Sequence, residues 1–328
     1  MSSLTRAALA LSLATSLAAC SDASPVTFTS LDAARDAATD AASDGPPRFD
    51  VDTDARPTDA PAADARFTAC DKVDLLFVID DSGSMADNQR SLAASFDGFM
   101  RGVRSRLASV QSYHVGVVTS EAYYANVAGC SEIGALITRT SGPGASNMDC
   151  APFAGGNHYL TQDETDLAAR FRCVAQLGSG GDDNERMMRS LLNAVSPRLN
   201  APGACNAGFA RRDSLLVIVL ITDEDDVAKP CDTPGCTPAG SGGLPDDWVR
   251  ELVSYRSGLA QNVVVLSLLG QRLDNACGAQ PAARLIGFTR RFGQNGFTGD
   301  VCATSYDGFF DQTLGVIETA CRGFVAPP

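Results

Sequence analysis

Val73-Asp-Leu-Leu-Phe-Val-Ile79 runs directly into Asp80-Asp81-Ser82-Gly83-Ser84. An apolar run of that length reads as a strand buried on both faces, as in the middle of a parallel sheet. At its C-terminal end stand one carboxylate and two hydroxyls, Asp80, Ser82 and Ser84, in alternate positions. Gly83 permits the tight turn on which three small oxygen-bearing side chains converge. A hard divalent cation takes oxygen ligands, commonly one or two of them carboxylates with waters completing the shell. The ordinary alternative is a strand-to-helix turn in which Ser84 or Asp87 caps the next helix. Open α/β sheets bind ligands in the crevice at the carboxyl ends of their strands, where this motif stands.

Further along the chain, apolar runs alternate with amphipathic stretches. Leu92, Phe96, Phe99, Val103 and Leu107 recur every three to four positions and predict a helix over 87–110. Residues 113–119, 215–221 and 262–269 read as strands, and Leu215-Leu-Val-Ile-Val-Leu-Ile221, the most hydrophobic, belongs near the sheet centre. Residues 167–177, 185–195, 246–259, 282–292 and 309–321 read as helices. Strands alternating with helices predict an α/β fold: a doubly wound, mostly parallel central sheet flanked by helices, with right-handed crossovers. Residues 70–328 are long enough for one such domain with a substantial core. Three loops, 121–161, 229–245 and 270–281, exceed what compact connections need. Each contains cysteine, so disulfide stapling and ligand binding are both open readings.

Asp80-x-Ser82-x-Ser84 after a buried first strand resembles the metal-ion-dependent adhesion site (MIDAS) of the von Willebrand factor type A (vWA) domain. The likeness runs from Val73 to Cys321, and Arg291-Phe-Gly-Gln-Asn-Gly296 with Val301-Cys-Ala303 looks like the cysteine-bearing type A domains of bacterial surface lipoproteins. The resemblance implies a ligand at Asp223, where the family carries an aspartate in a Thr-Asp-Gly-like motif that reaches the metal through water. Here Glu224 replaces the glycine, and Glu224, Asp225 and Asp226 are expected to form a solvated acidic loop. The family's third element is a threonine, but the matching stretch Leu177-Gly-Ser-Gly-Gly-Asp-Asp-Asn184 contains none. Ser179 is the expected substitute, with the same hydroxyl chemistry, and Asp182 is the alternative.

The cofactor so implied is a divalent cation, Mg²⁺ by expectation with Ca²⁺ or Mn²⁺ as alternatives. Asp80, Ser82, Ser84 and Asp223 would hold it and leave one position open for an Asp or Glu of a protein partner. The implied function is metal-dependent protein binding or adhesion, without covalent chemistry. A metal-assisted hydrolase is a rival reading. Against it, the chain has no His-Glu-x-x-His and no Gly-x-Ser-x-Gly, and His114 and His158 are not placed as general bases. The other rival is a structural envelope protein whose cation only stabilises loops, its sign being a protein oxygen in the ligand's position.

Residues 1–19 read as an export signal, with Arg6 in the basic region and Ala7 to Leu17 as the apolar core. Leu17-Ala18-Ala19-Cys20 looks like a bacterial lipobox, which makes Cys20 the expected lipidated residue and the membrane anchor. Ser21 resembles the sorting position of lipoproteins sent on to an outer membrane. Residues 20–69 are rich in Ala, Asp and Pro; from Ser21 to Arg66, 10 Asp face 4 Arg, which predicts an extended acidic tether. Setting Cys20 aside, the chain's 11 cysteines leave an even number, as oxidised pairing in the envelope requires. Cys231 with Cys236 reads as a local bridge, and Cys70 with Cys321 as a link between the domain's ends. Zinc is disfavoured because no Cys-x-x-Cys occurs. A net charge of −13 with no basic stripe excludes nucleic acid as a partner.

Overall fold

The computed structural model describes residues 70–107, 109–182, 184–227 and 239–328. The export signal, Cys20, the acidic tether and the Cys231–Cys236 turn lie outside the described residues. Strand β1 (Lys72–Ile79) is buried from Val73 onward, as its unbroken apolar run requires. It lies between two parallel neighbours, β2 (Ser112–Thr119) and β4 (Leu215–Thr222), and its last residue Ile79 pairs with Thr119 and Ile221. β5 (Val263–Leu269) and then β6 (Gly296–Asp300) extend the sheet beyond β4, both parallel. β3 (Leu160–Thr161) pairs antiparallel with β2 at the opposite edge.

The resulting order, β3-β2-β1-β4-β5-β6, is the doubly wound arrangement expected from the alternation of strands and helices. Strand order reverses between β1 and β4, so a crevice opens where their carboxyl ends part. On one face, Leu75, Phe77 and Ile79 pack against α1 (Ala86–Arg106), α2 (Leu167–Ala175) and α7 (Asp307–Arg322). On the other, Leu76 and Val78 meet α3 (Met187–Val195), α5 (Pro245–Tyr255) and α6 (Ala283–Arg290). Phe96 of α1 stacks on Phe171 of α2 at 3.5 Å between centroids, and Phe77 stands edge-on to both. The short helix α4 (Pro197–Asn200) follows α3.

Cys70–Cys321 closes the domain's ends, as its placement suggested. Cys130–Cys205 and Cys150–Cys173 staple the 121–161 loop, and Cys277–Cys302 staples the 270–281 loop. Three elements were not expected: β3, α4 and β6. β6 has the sequence Gly-Phe-Thr-Gly-Asp on a half-exposed edge, so it carries no apolar run. Its glycines are steric requirements, since a Cβ at Gly299 would lie 2.4 Å from the Phe309 ring. The helix expected over 246–259 stops at Tyr255 because Ser257 and Gly258 turn through positive φ, 58° and 78°. No helix among the described residues is long and apolar enough to cross a membrane.

Candidate metal centre

One step past the β1–β4 ladder, the Asp80 N–H donates to Ile221 O at 3.0 Å. That bond carries the two strand ends into the crevice together. Asp80 is fully buried: its Oδ1 accepts the Ser82 N–H at 2.7 Å and its Oδ2 accepts the Thr222 hydroxyl at 2.7 Å. The Ser82 and Ser84 hydroxyls stand 3.4 Å apart on the turn, directly before α1 begins. Burial raises the Asp80 carboxyl to about 6; the Ser82 and Thr222 bonds hold it down, and the negative charge of Asp223 pushes it up. Asp223 is itself only 5% exposed, and its Oδ1 has no hydrogen-bond partner. Its backbone oxygen accepts the Gln280 N–H at 2.7 Å, which ties it to the stapled 270–281 loop.

The glycine-rich turn arrives differently from the sequence expectation. The Gln89 amide, buried on α1, donates to Asp80 O at 3.0 Å and to Gly178 O at 2.8 Å, and accepts from Gly178 N at 3.1 Å. Gly181 N donates to Asp81 O at 2.9 Å, and a Cβ there would lie 2.8 Å from that same carbonyl. Only glycine lets the turn press so close. Ser179 faces the neighbouring loop instead, its N–H 2.9 Å and its hydroxyl 3.5 Å from Pro143 O. Asp182 is exposed and donates its N–H to Glu121 at 3.2 Å. Neither side chain hydrogen-bonds to Asp80, Ser82, Ser84 or Asp223.

The side chain that this turn does bring towards Asp80 is Glu185, just before α3. It is 3% exposed and neither carboxyl oxygen makes a hydrogen bond of normal geometry. Burial, then the negative charge of Asp80, lifts its carboxyl to about 10; Asp81 and Glu224 add to the shift, and the nearby Ser120 hydroxyl offsets part of it. Asp81 is raised to about 8 by burial, then by Glu121 and Asp80, although Ser120 Oγ donates to it at 3.4 Å. Among the described residues, Asp80, Asp81, Glu185 and Asp223 form no ion pair with Lys or Arg.

The acidic run after Asp223 is not a solvated loop, which corrects the expectation. Asp226 is fully buried and accepts from Met188 N at 2.8 Å, Ser241 N at 2.6 Å and Ser241 Oγ at 2.5 Å. Asp225 accepts from the first backbone amides of α6, Arg284 N at 2.9 Å and Leu285 N at 3.2 Å. Helix N-termini leave such donors open, and these carboxylates fill them. His114 and His158 serve the scaffold: each Nδ1 lies against a backbone carbonyl, Phe209 O at 2.9 Å and Cys205 O at 2.8 Å.

A hard divalent cation fits these residues. Buried carboxylate oxygens are normally paired, so the orphaned Oδ1 of Asp223 beside anionic Asp80 calls for a positive partner. Among the described residues, no three His, Cys, Asp or Glu side chains are grouped to hold one ion. The oxygens that Asp80, Asp223, Ser82 and Ser84 could offer are two carboxylates and two serine hydroxyls, the donor type a hard divalent cation takes. Gln89, Asp81 and Glu185 escaped sequence reasoning. Glu185 in particular looks like an ordinary acid complementing a helix start.

No protein-family profile matches the chain, and no curated protein does. Among solved structures it is similar to the pilus adhesin SpaC of Lactobacillus rhamnosus GG in its open conformation, at 13% identity and a TM-score of 0.36. That match covers 76% of this chain and 30% of the adhesin, so the chain spans less than a third of SpaC's length. It is also similar to the manganese-loaded TRAP protein of Plasmodium vivax, at 13% identity and a TM-score of 0.33 over 77% of this chain and 74% of that one.

Proposed function

We propose that this chain is a lipid-anchored cell-envelope protein whose vWA-like domain binds a divalent cation at Asp80, Ser82, Ser84 and Asp223. Through that cation it would bind an acidic side chain of a partner protein, with no covalent chemistry. The observation that carries the reading is the buried, unpartnered Asp223 Oδ1, together with a buried Asp80 whose two oxygens each accept one hydrogen bond and keep a lone pair free. Mg²⁺ is the expected ion, with Ca²⁺ and Mn²⁺ as alternatives. When bound, the ion would supply a positive centre that takes up a carboxylate oxygen.

The chain's own residues do the rest. Thr222 and the Ser82 amide orient Asp80, the Ser82 and Ser84 hydroxyls line the turn, and β4 holds Asp223 at the switch point. Cys20 would tether the domain to the membrane, an outer membrane by expectation, and the acidic segment would give it reach. A cation that only stabilises loops is the second reading, and the observation favouring it is buried Glu185 close to Asp80.

Titrating the purified protein with Mg²⁺, Mn²⁺ and Ca²⁺ by calorimetry tests the site. Binding is expected for wild type and is lost in Asp80→Ala, with circular dichroism confirming that the variant folds; absence of binding in wild type rejects the reading. Affinity capture from envelope extracts, with and without chelator, then separates adhesion from loop support. A partner released by chelator supports adhesion, whereas cation binding with no chelator-sensitive partner leaves the structural reading.

A further inference from the structure

Glu185 is held where it is from both sides. The next residue's N–H, Arg186, donates to Ser120 O at 3.2 Å at the end of β2. Two residues further on, Met188 N donates to the buried Asp226 carboxylate at 2.8 Å. These bonds hold the backbone that follows Glu185 against the end of β2 and the buried Asp226. Glu185 is 3% exposed, the Ser120 hydroxyl nearby makes no bond of normal geometry to either oxygen, and Asp80 is the charged group acting on it most strongly. Protonation does not resolve the deficit, because a carboxylic acid brings an O–H that also needs an acceptor. Arg186, the cation next in sequence, acts on Glu121. A buried carboxyl so poorly partnered among acids is costly unless something positive stands nearby.

Resting on the cation reading above, we infer that Glu185 is a further residue of the cation site. It strengthens cation binding without being a direct ligand. Among the described residues no three acidic side chains are grouped around one point, so Glu185 is assigned to the ion's surroundings rather than to its directly bound oxygens. With the ion in place, the ionised carboxyl of Glu185 attracts it through the low-dielectric crevice. Residues that support metal ligands in this way typically change affinity by about 10- to 100-fold when altered. The same charge weakens the pull of the loaded site on an incoming carboxylate.

Mn²⁺ binding to the purified protein, read by electron paramagnetic resonance of the free ion and by calorimetry, tests this. Glu185→Gln keeps the shape and removes the charge, and is expected to weaken Mn²⁺ binding by about 10- to 100-fold and to shrink the rise in melting temperature at saturating Mn²⁺. Glu185→Asp keeps the charge and is expected to bind within a few-fold of wild type, which also covers a failure of the glutamine variant to fold. Unchanged or tighter binding in folded Glu185→Gln overturns the inference, as does an equal loss in both variants. If wild type binds Mn²⁺ through Asp80 while both Glu185 variants match it, only this inference falls. If wild type binds no Mn²⁺, the cation reading falls and takes this one with it.

Discussion

Gln89 does more than any candidate ligand to hold the site's parts together. One buried amide joins the Asp80 carbonyl to both polar groups of Gly178, so α1, the first motif and the glycine-rich turn are tied together. Gln89→Ala would leave two buried carbonyls and one N–H unpaired. The expected cost is about 2–3 kcal/mol, read as a shift of the urea midpoint, together with weaker Mg²⁺ binding by calorimetry. A variant with wild-type affinity would mean that the turn is placed by other contacts. In the sequence, Gln89 is merely a polar position on a helix, and nothing local marks it. The convergence of Asp80, Ser82 and Ser84 on one turn was legible because it is a property of five consecutive residues, one of them glycine. Ser179 shows the limit of such reading: its hydroxyl has the chemistry of the absent threonine, but the backbone turns it towards Pro143.

The strands that build the crevice also bury a charge at their far end. Asp74, the third residue of β1, is fully buried; it accepts from Arg211 Nε at 2.8 Å, Arg211 N at 2.7 Å and Ser214 Oγ at 2.5 Å. His114 of β2 lies 3.6 Å away, and burial lowers its pKa. Removing one partner of a buried pair strands the other, so Asp74→Asn is expected to cost about 3–5 kcal/mol in a denaturation curve. Six residues of strand, about 20 Å, separate Asp74 from Asp80, so Mg²⁺ affinity should stay at the wild-type value in the folded variant. Loss of cation binding there would mean that the two ends of the sheet are coupled. The long elements were legible for a common reason: β1, β2, β4 and β5 are apolar runs and α1 repeats at helical spacing. β3 has two residues and β6 has two glycines at an edge, so neither carries enough burial to imprint a pattern.

Among the described residues the most strongly raised carboxyls, Asp81 and Glu185, act with Asp80 at the carboxyl end of the central strand β1, and this has a consequence for stability against pH. Asp81 is lifted from 3.8 to about 8 and Glu185 from 4.5 to about 10, burial being the first cause in each. A carboxyl whose folded pKa exceeds its unfolded one binds more protons in the native state, so stability falls as pH rises between the two values. For Asp81 that window runs from about 4 to about 8. His114 opposes it at the acid end: its lowered pKa removes stability as pH drops below its ordinary value of 6.5. Between about 6.5 and 8 the carboxyls act alone. In chelator, the urea midpoint should therefore drop across that interval by the equivalent of about 1 kcal/mol or more per pH unit. Saturating Mg²⁺ should flatten the slope, because the ion takes over the compensation that protons provide in its absence. A midpoint that is level or rising from 6.5 to 8 in chelator would mean these carboxyls are not held protonated. A slope that Mg²⁺ leaves untouched would separate these carboxyls from the cation.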